Sequence, residues 1–274
     1  MKRFILLLII VPLFSSSTNK ELTWVAIGDS ITYLNDHPDE TGNRVTKGYL
    51  SRVCEKLSDI HYVNQGHNGW TSGQIARSID QLGIQRADIY TILLGTNDWW
   101  VGRPAGNLTD YKNNTGDSTV SGSFRIIINK IRSLNKEAGI ILMTPLQRGD
   151  FVYIADMKNN AHGSYREKNG QTLEQVATVI KNIARYESLD LIDLYHSGKL
   201  TIPHLVKYKK LKDPQTGVYK NFTYPEYVNI PFDPQKDDYP YPSDAIDKTY
   251  DGLHPSDAGN EIIAGMLVKK MKKL

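Results

Sequence analysis

Short apolar runs alternate along the chain with segments of helical periodicity. Trp24-Val25-Ala26-Ile27 stops at Gly28-Asp29-Ser30, and Tyr62-Val63 runs into Asn64-Gln65-Gly66. Ile89-Tyr90-Thr91-Ile92-Leu93-Leu94 ends at Gly95-Thr96-Asn97-Asp98, and Ile140-Ile141-Leu142-Met143 ends at Thr144-Pro145. Leu189-Asp190-Leu191-Ile192-Asp193 makes a fifth run. Continuous apolar runs of this length suit strands of a parallel sheet whose two faces are both covered. Between them Ile126, Ile127, Lys130, Ile131 and Leu134 recur at helical spacing, as do Val176, Val179, Ile180 and Ile183. The chain closes on Ile262, Ile263, Met266, Leu267 and Val268. This succession predicts a three-layer α/β/α domain, doubly wound about a mainly parallel, flavodoxin-like sheet of five strands. In such sheets the ligand site lies beyond the carboxyl ends of the strands.

Residues 199–250 break the pattern. They hold seven of the twelve prolines and seven of the sixteen tyrosines. Proline at this density prevents a regular helix or a central strand, while the tyrosines argue for order. The segment therefore reads as an irregular insertion packed beside the site, with a purely structural excursion as the alternative.

The first residues read differently again. Lys2-Arg3, an apolar run from Phe4 to Phe14 and then Ser15-Ser16-Ser17 have the layout of a signal peptide. The apolar run is shorter than the ~20 residues a bilayer span needs. The domain expectation is a signal peptide over 1–20 and one domain over 21–274, exported to the periplasm or beyond and not inserted in a membrane. With 33 basic and 30 acidic residues the formal charge is +3. Lys2, Arg3 and Lys20 carry that excess, so the processed chain is neutral and lacks the footprint of a nucleic-acid binder. The lysines at 269, 270, 272 and 273 read as a solvated helix end. Cys54 is the only cysteine, which excludes an internal disulfide or a cysteine-based metal site. Its surroundings read as an amphipathic helix around a structural thiol.

Four polar blocks carry the candidate chemistry. Gly28-Asp29-Ser30 places a hydroxyl at a strand-to-loop turn, where a helix-capping serine is the plain alternative. Asn64-Gln65-Gly66-His67-Asn68-Gly69 has glycines that let a backbone approach a ligand. Gly95-Thr96-Asn97-Asp98 follows the third run, and Asp251-Gly252-Leu253-His254 precedes the last helix. An aspartate three residues before a histidine can accept Nδ1–H while Nε2 faces outward, the pairing that activates a hydroxyl. Taken alone, Asp251 and His254 would read as turn and cap residues.

Together, and in this order, the blocks resemble those of the SGNH (GDSL-type) hydrolase family, from Trp24 to the final helix. The resemblance implies Ser30 as nucleophile, His254 as base and Asp251 as its partner. It further implies an oxyanion hole made by Ser30, Gly66 and Asn97, with no cofactor and no metal. Ile31-Thr32 after the serine departs from the leucine-bearing sequence common in the family and weakens the link to its lipid-acting branch. Asp29 reads as a loop-fixing residue, since a second carboxylate would oppose the charge that develops beside Ser30.

Three tryptophans directly follow these blocks: Trp70, Trp99 and Trp100. They are expected to line a substrate pocket, where aromatic faces suit sugar rings, or else merely to pack the loops. Arg103 and Arg148 sit on loops at the same end and read either as contacts for an acidic sugar or as solvated surface. The expected reaction is release of short acyl groups, acetyl first, from a carbohydrate. A lipase or thioesterase of the same family is the nearer alternative. Rivals from other classes are a glycan-binding module without turnover and a phosphoesterase with metals on Asp29, Asp98, Asp251 and His254. The second rival leaves Ser30, Gly66 and Asn97 idle.

Overall fold

Five parallel strands form the central sheet of the computed structural model, which describes residues 20–274. The expected signal peptide, apart from Lys20, lies outside the described residues. The sheet strands are β1 (Leu22–Gly28), β2 (Ile60–Gly66), β3 (Ile89–Leu93), β4 (Gly139–Met143) and β7 (Asp190–Ile192), in the order β2-β1-β3-β4-β7. All five apolar runs are strands, and the order is that of a doubly wound sheet with its switch point beside β1. Two short hairpins complete the strand set: β5 (Phe151–Val152) with β6 (Asn160–Ala161), and β8 (Lys209–Lys212) with β9 (Tyr219–Phe222).

The helices are α1 (Ser30–Tyr33), α2 (Tyr49–Lys56), α3 (Ser72–Ser78), α4 (Thr96–Trp100), α5 (Leu108–Lys112), α6 (Val120–Leu134), α7 (Leu173–Tyr186) and α8 (Asp257–Met271). Successive strand side chains point to opposite faces. Trp24, Ala26, Ile89, Leu93, Ile141 and Met143 pack with α2 and α8, and Val25, Ile27, Tyr90, Ile92, Ile140 and Leu142 with α3, α6 and α7. Thr71 with Gln74 and Thr172 with Gln175 form capping boxes that start α3 and α7. The α6 stripe is rotated from the one expected: Phe124, Ile127, Ile128 and Ile131 are buried, and Ile126 and Leu134 only partly. Lys130, which has no apolar face to bury, reaches Asp80 instead. Cys54 is half-buried on α2, and burial pushes its thiol up.

The segment 199–250 is ordered, and it is more regular than its prolines suggest. The β8–β9 hairpin is antiparallel and places Leu211 in a buried position. Pro214 falls in the turn between the strands, where it interrupts no ladder. Tyr227, Tyr241 and Tyr250 are fully enclosed, Leu205 and Ala245 are buried too, and Val206 packs in one cluster with Tyr241.

Candidate active site

At the carboxyl end of β1 the chain must turn at once into α1, and a glycine makes this feasible. A Cβ on Gly28 would lie 2.0 Å from Thr32 Oγ1, and one on Gly66, its partner in β2, would lie 2.2 Å from the Tyr33 amide. Asp29 caps α1 through Oδ1, which accepts the Ile31 N–H at 3.0 Å. Ser30 thus becomes the first residue of the helix, with an unpaired amide. Burial is the main influence on Asp29 and raises its pKa to about 6 against the downward pull of the Ile31 N–H and His254.

The structure brings Ser30, His254 and Asp251 into one line although 224 positions separate the serine from the histidine. His254 Nε2 lies 2.9 Å from Ser30 Oγ, and Nδ1 lies 2.7 Å from Asp251 Oδ2. Asp251 is fully buried, and its Oδ1 also accepts the backbone N–H groups of Leu253 at 3.0 Å and His254 at 2.7 Å. That local turn sets the Asp-x-x-His spacing. The imidazole is held between Tyr250, stacked at 5.9 Å, and the edge-on Phe151 at 5.4 Å. With Nδ1–H donated to Asp251, Nε2 is left as an acceptor for the serine proton.

Ser30 and His254 border a cavity of about 210 Å³ lined also by Asn68, Gly69, Asn97, Trp100, Arg148 and Phe151. A second lobe of about 110 Å³ adjoins it across Asn68, Phe151, Asn159 and His254. A larger cleft of about 610 Å³ between Pro104 and Asn182 contains none of the predicted site residues.

Gly66, expected as an oxyanion donor, is excluded from that role. It is the last residue of β2, and its N–H donates to Asn64 Oδ1 at 2.9 Å. Gly69, three positions on, lines the cavity at φ +76, and neither its N–H nor that of Ser30 has a protein acceptor among the described residues. Asn97 also lines the cavity. One of its amide hydrogens goes to the Trp70 carbonyl at 2.9 Å, which orients the group and leaves the other free among the described residues. The sequence offers two glycines in this block, and only the second stands clear of the ladder.

The tryptophans divide. Trp99 is fully buried and donates Nε1 to the Gln171 carbonyl at 3.1 Å, so it packs the core and cannot meet substrate. Trp70 stacks on His67 at 4.5 Å and does not line the cavity. Trp100 does line it, with Lys168 Nζ over its ring at 4.0 Å. The arginines divide too: Arg103 Nε pairs with Asp98 Oδ1 at 3.0 Å, whereas Arg148 is on the cavity wall.

The phosphoesterase reading finds no ligand set. Among the described residues no group of three or more histidine, cysteine, aspartate or glutamate side chains is placed to hold a metal ion. Asp98 receives the Ser72 N–H and hydroxyl, each at 2.8 Å, besides Arg103. Asp29 and Asp251 are committed to the turns just described.

A strand-end serine joined to a histidine–aspartate pair on a flavodoxin-like sheet is an arrangement able to activate a hydroxyl. The chain belongs to the GDSL-like lipase/acylhydrolase family, whose model matches residues 26–262, and it is by that membership an ester hydrolase. A crystal structure described as "a possible lipase" from Chitinophaga pinensis is 62% identical, with a TM-score of 0.91 over 92% of this chain and 98% of that one. An acetylxylan esterase from Geobacillus stearothermophilus shares the fold at 21% identity and a TM-score of 0.52, covering 92% of this chain and 94% of that chain. A lipase/acylhydrolase from Enterococcus faecalis does so at 17% and 0.51, covering 92% and 95%. No curated protein matches the chain.

Proposed function

We propose that this chain removes short acyl groups, acetyl foremost, from a carbohydrate through a Ser30 acyl-enzyme. The observation that carries the reading is the unbroken line from Ser30 Oγ through His254 to Asp251, opening on a small cavity whose walls mix polar and apolar side chains. His254 Nε2 takes the hydroxyl proton as Ser30 Oγ bonds to the ester carbonyl carbon. The oxyanion so formed accepts hydrogen bonds from the Ser30 and Gly69 amides and from Asn97 Nδ2. A donor of this kind is worth about 3–4 kcal/mol in the transition state. Collapse expels the sugar oxygen, to which His254 returns the proton. Water, deprotonated by the same nitrogen, then releases the acid and restores Ser30.

Cavity size argues for a short acyl group. The lobe at Ser30 holds about 210 Å³, and its walls include Asn68, Asn97, Asn159 and Arg148, which a long alkyl chain would strip of water without repayment. Trp100 is the one tryptophan left to meet a sugar ring. The segment 1–17 supports export, and no described helix is long and apolar enough to cross a membrane.

The test is a series of 4-nitrophenyl esters from acetyl to octanoyl, measured with the full chain and with Ser30→Ala. Acetyl should be turned over fastest, and the variant should retain its fold but no hydrolysis. Best turnover of octanoyl would overturn the short-acyl reading, and full activity of Ser30→Ala would overturn the nucleophile.

A further inference from the structure

Arg148 is 2% exposed on the wall of the Ser30 cavity. Its Nη2 donates to the His162 carbonyl at 3.2 Å, but its enclosed Nε has no hydrogen-bond partner among the described residues. The carboxylates that bear on its charge are already engaged. Asp150 is bonded to Lys209 Nζ at 2.8 Å, and Asp251 to His254. What surrounds the guanidinium instead is aromatic: the ring centres of Trp99 and Trp100 lie 5.2 and 4.9 Å away. Lys168 Nζ stands over the same Trp100 ring.

Holding a guanidinium out of water without a counter-ion is costly. Aromatic faces offset part of the cost but use none of the N–H donors. Burial lowers the pKa to about 10, so the group is still charged at neutral pH. Arg103, on the same end of the sheet, shows the ordinary solution, a carboxylate at 3.0 Å. Arg148 lacks one and faces the place where substrate must sit.

We infer that Arg148 receives a carboxylate carried by the substrate, so that the preferred substrate is an O-acetylated acidic sugar, a uronate. A planar donor fork matches a carboxylate well, which a neutral hydroxyl cannot reproduce. The pairing also serves the reaction. An uncompensated carboxylate near Ser30 would oppose the oxyanion, and the guanidinium cancels that repulsion. The inference rests on the cavity being the ester-hydrolysing site.

The experiment compares kcat/KM of the full chain for mono-O-acetyl galacturonate and mono-O-acetyl galactose, with 4-nitrophenyl acetate as a reference that carries no sugar. Charge-assisted hydrogen bonds of this kind predict a preference for the acidic sugar of about tenfold or more. In Arg148→Gln the ratio of the two should fall towards one, and Arg148→Lys should recover part of it. Equal rates for the two sugars, with Ser30-dependent hydrolysis of the aryl ester intact, would overturn the role of Arg148 and leave the hydrolase. Absence of Ser30-dependent hydrolysis with every ester would overturn both. A preference confined to 4-nitrophenyl hemisuccinate over the acetate would move the carboxylate to the acyl group and overturn the uronate. Should the glutamine variant fail to fold, the wild-type chain suffices. Free galacturonate must then inhibit aryl ester hydrolysis more strongly than galactose, and equal inhibition refutes the inference.

Discussion

Asp29 offers a direct test of how the nucleophile turn is paid for in stability. Its side chain is 2% exposed and accepts the Ile31 N–H at 3.0 Å, immediately before Ser30. Burial pushes its pKa from 3.8 to about 6, overcoming the Ile31 N–H and the nearby His254, with Asp98 adding to the rise. A carboxyl whose pKa is higher folded than unfolded binds more protons in the native state. Stability from this group is therefore fullest below about pH 4, declines as pH rises towards 6, and is lost above it. The gap between 3.8 and about 6, at about 1.36 kcal/mol per pH unit, makes the ionised carboxylate cost about 3 kcal/mol at pH 8. Asparagine keeps the capping oxygen without the charge. Asp29→Asn should therefore raise the unfolding free energy by about 3 kcal/mol at pH 8 and by less than about 1 kcal/mol at pH 4. Urea titrations of both proteins at pH 4, 6 and 8, compared at equal m, measure it. The many carboxylates held low by basic partners titrate alike in both proteins and cancel from the difference. An identical difference at pH 4 and pH 8, or a less stable variant at pH 8, would refute the reasoning.

Three further outcomes follow from the same geometry. Gly66→Ala should destabilise severely, since its Cβ would lie 2.2 Å from the Tyr33 amide, whereas Gly69→Ala meets nothing within 4 Å. Gly69→Ala should therefore stay folded and lose kcat through its strained positive φ; thermal melts and esterase assays on both variants separate the two. His254→Ala should lower kcat by about 10²-fold or more, and Asp251→Asn by less, because an imidazole without its orienter still accepts a proton; equal residual rates would refute these roles. Lys209→Met should cost about 3–5 kcal/mol by leaving Asp150 buried without its partner, which a shift in urea midpoint would register.

The sheet was legible because each strand is a closed apolar run ending in a polar block, a pattern that both the topology and the covered faces require. Ser30 and Asn97 could be placed at one end of the sheet because each follows such an ending, and Asp251 and His254 because their spacing before the last helix is that of an acceptor and its imidazole. Gly66 was misjudged because sequence does not say where hydrogen bonding in β2 stops; the ladder reaches Gly66 itself and consumes its neighbourhood. Trp99 was misjudged for a related reason. It follows the third block, but α4 begins at Thr96, and one helical step turns residue 99 into the core while leaving residue 100 at the cavity. Arg103 and Arg148 were indistinguishable as sequence, because pairing with Asp98 is a tertiary fact.

The insertion is the part that sequence left without a role, and its contacts supply one. The loop bearing Asp251 and His254 rests on the segment before it in space: Gly149 N–H donates to the Gly252 carbonyl at 2.8 Å, and Val152 N–H to the Asp251 carbonyl at 3.3 Å. Between those two lies Asp150, whose carbonyl accepts the Tyr241 hydroxyl and whose side chain is bonded to Lys209 and the Tyr165 hydroxyl. Burial works against the Asp150 charge, but the Lys209 ammonium beside it holds the carboxyl below the usual range. Tyr241 and Lys209 both belong to 199–250. Two residues of the proline-rich insertion thus clamp the strip on which the histidine loop is built. Arg148, one residue before Gly149, lies on that strip as well, so the geometry of His254 and the position of the unpaired guanidinium are set by one scaffold. A change in the insertion should therefore alter base and substrate contact together.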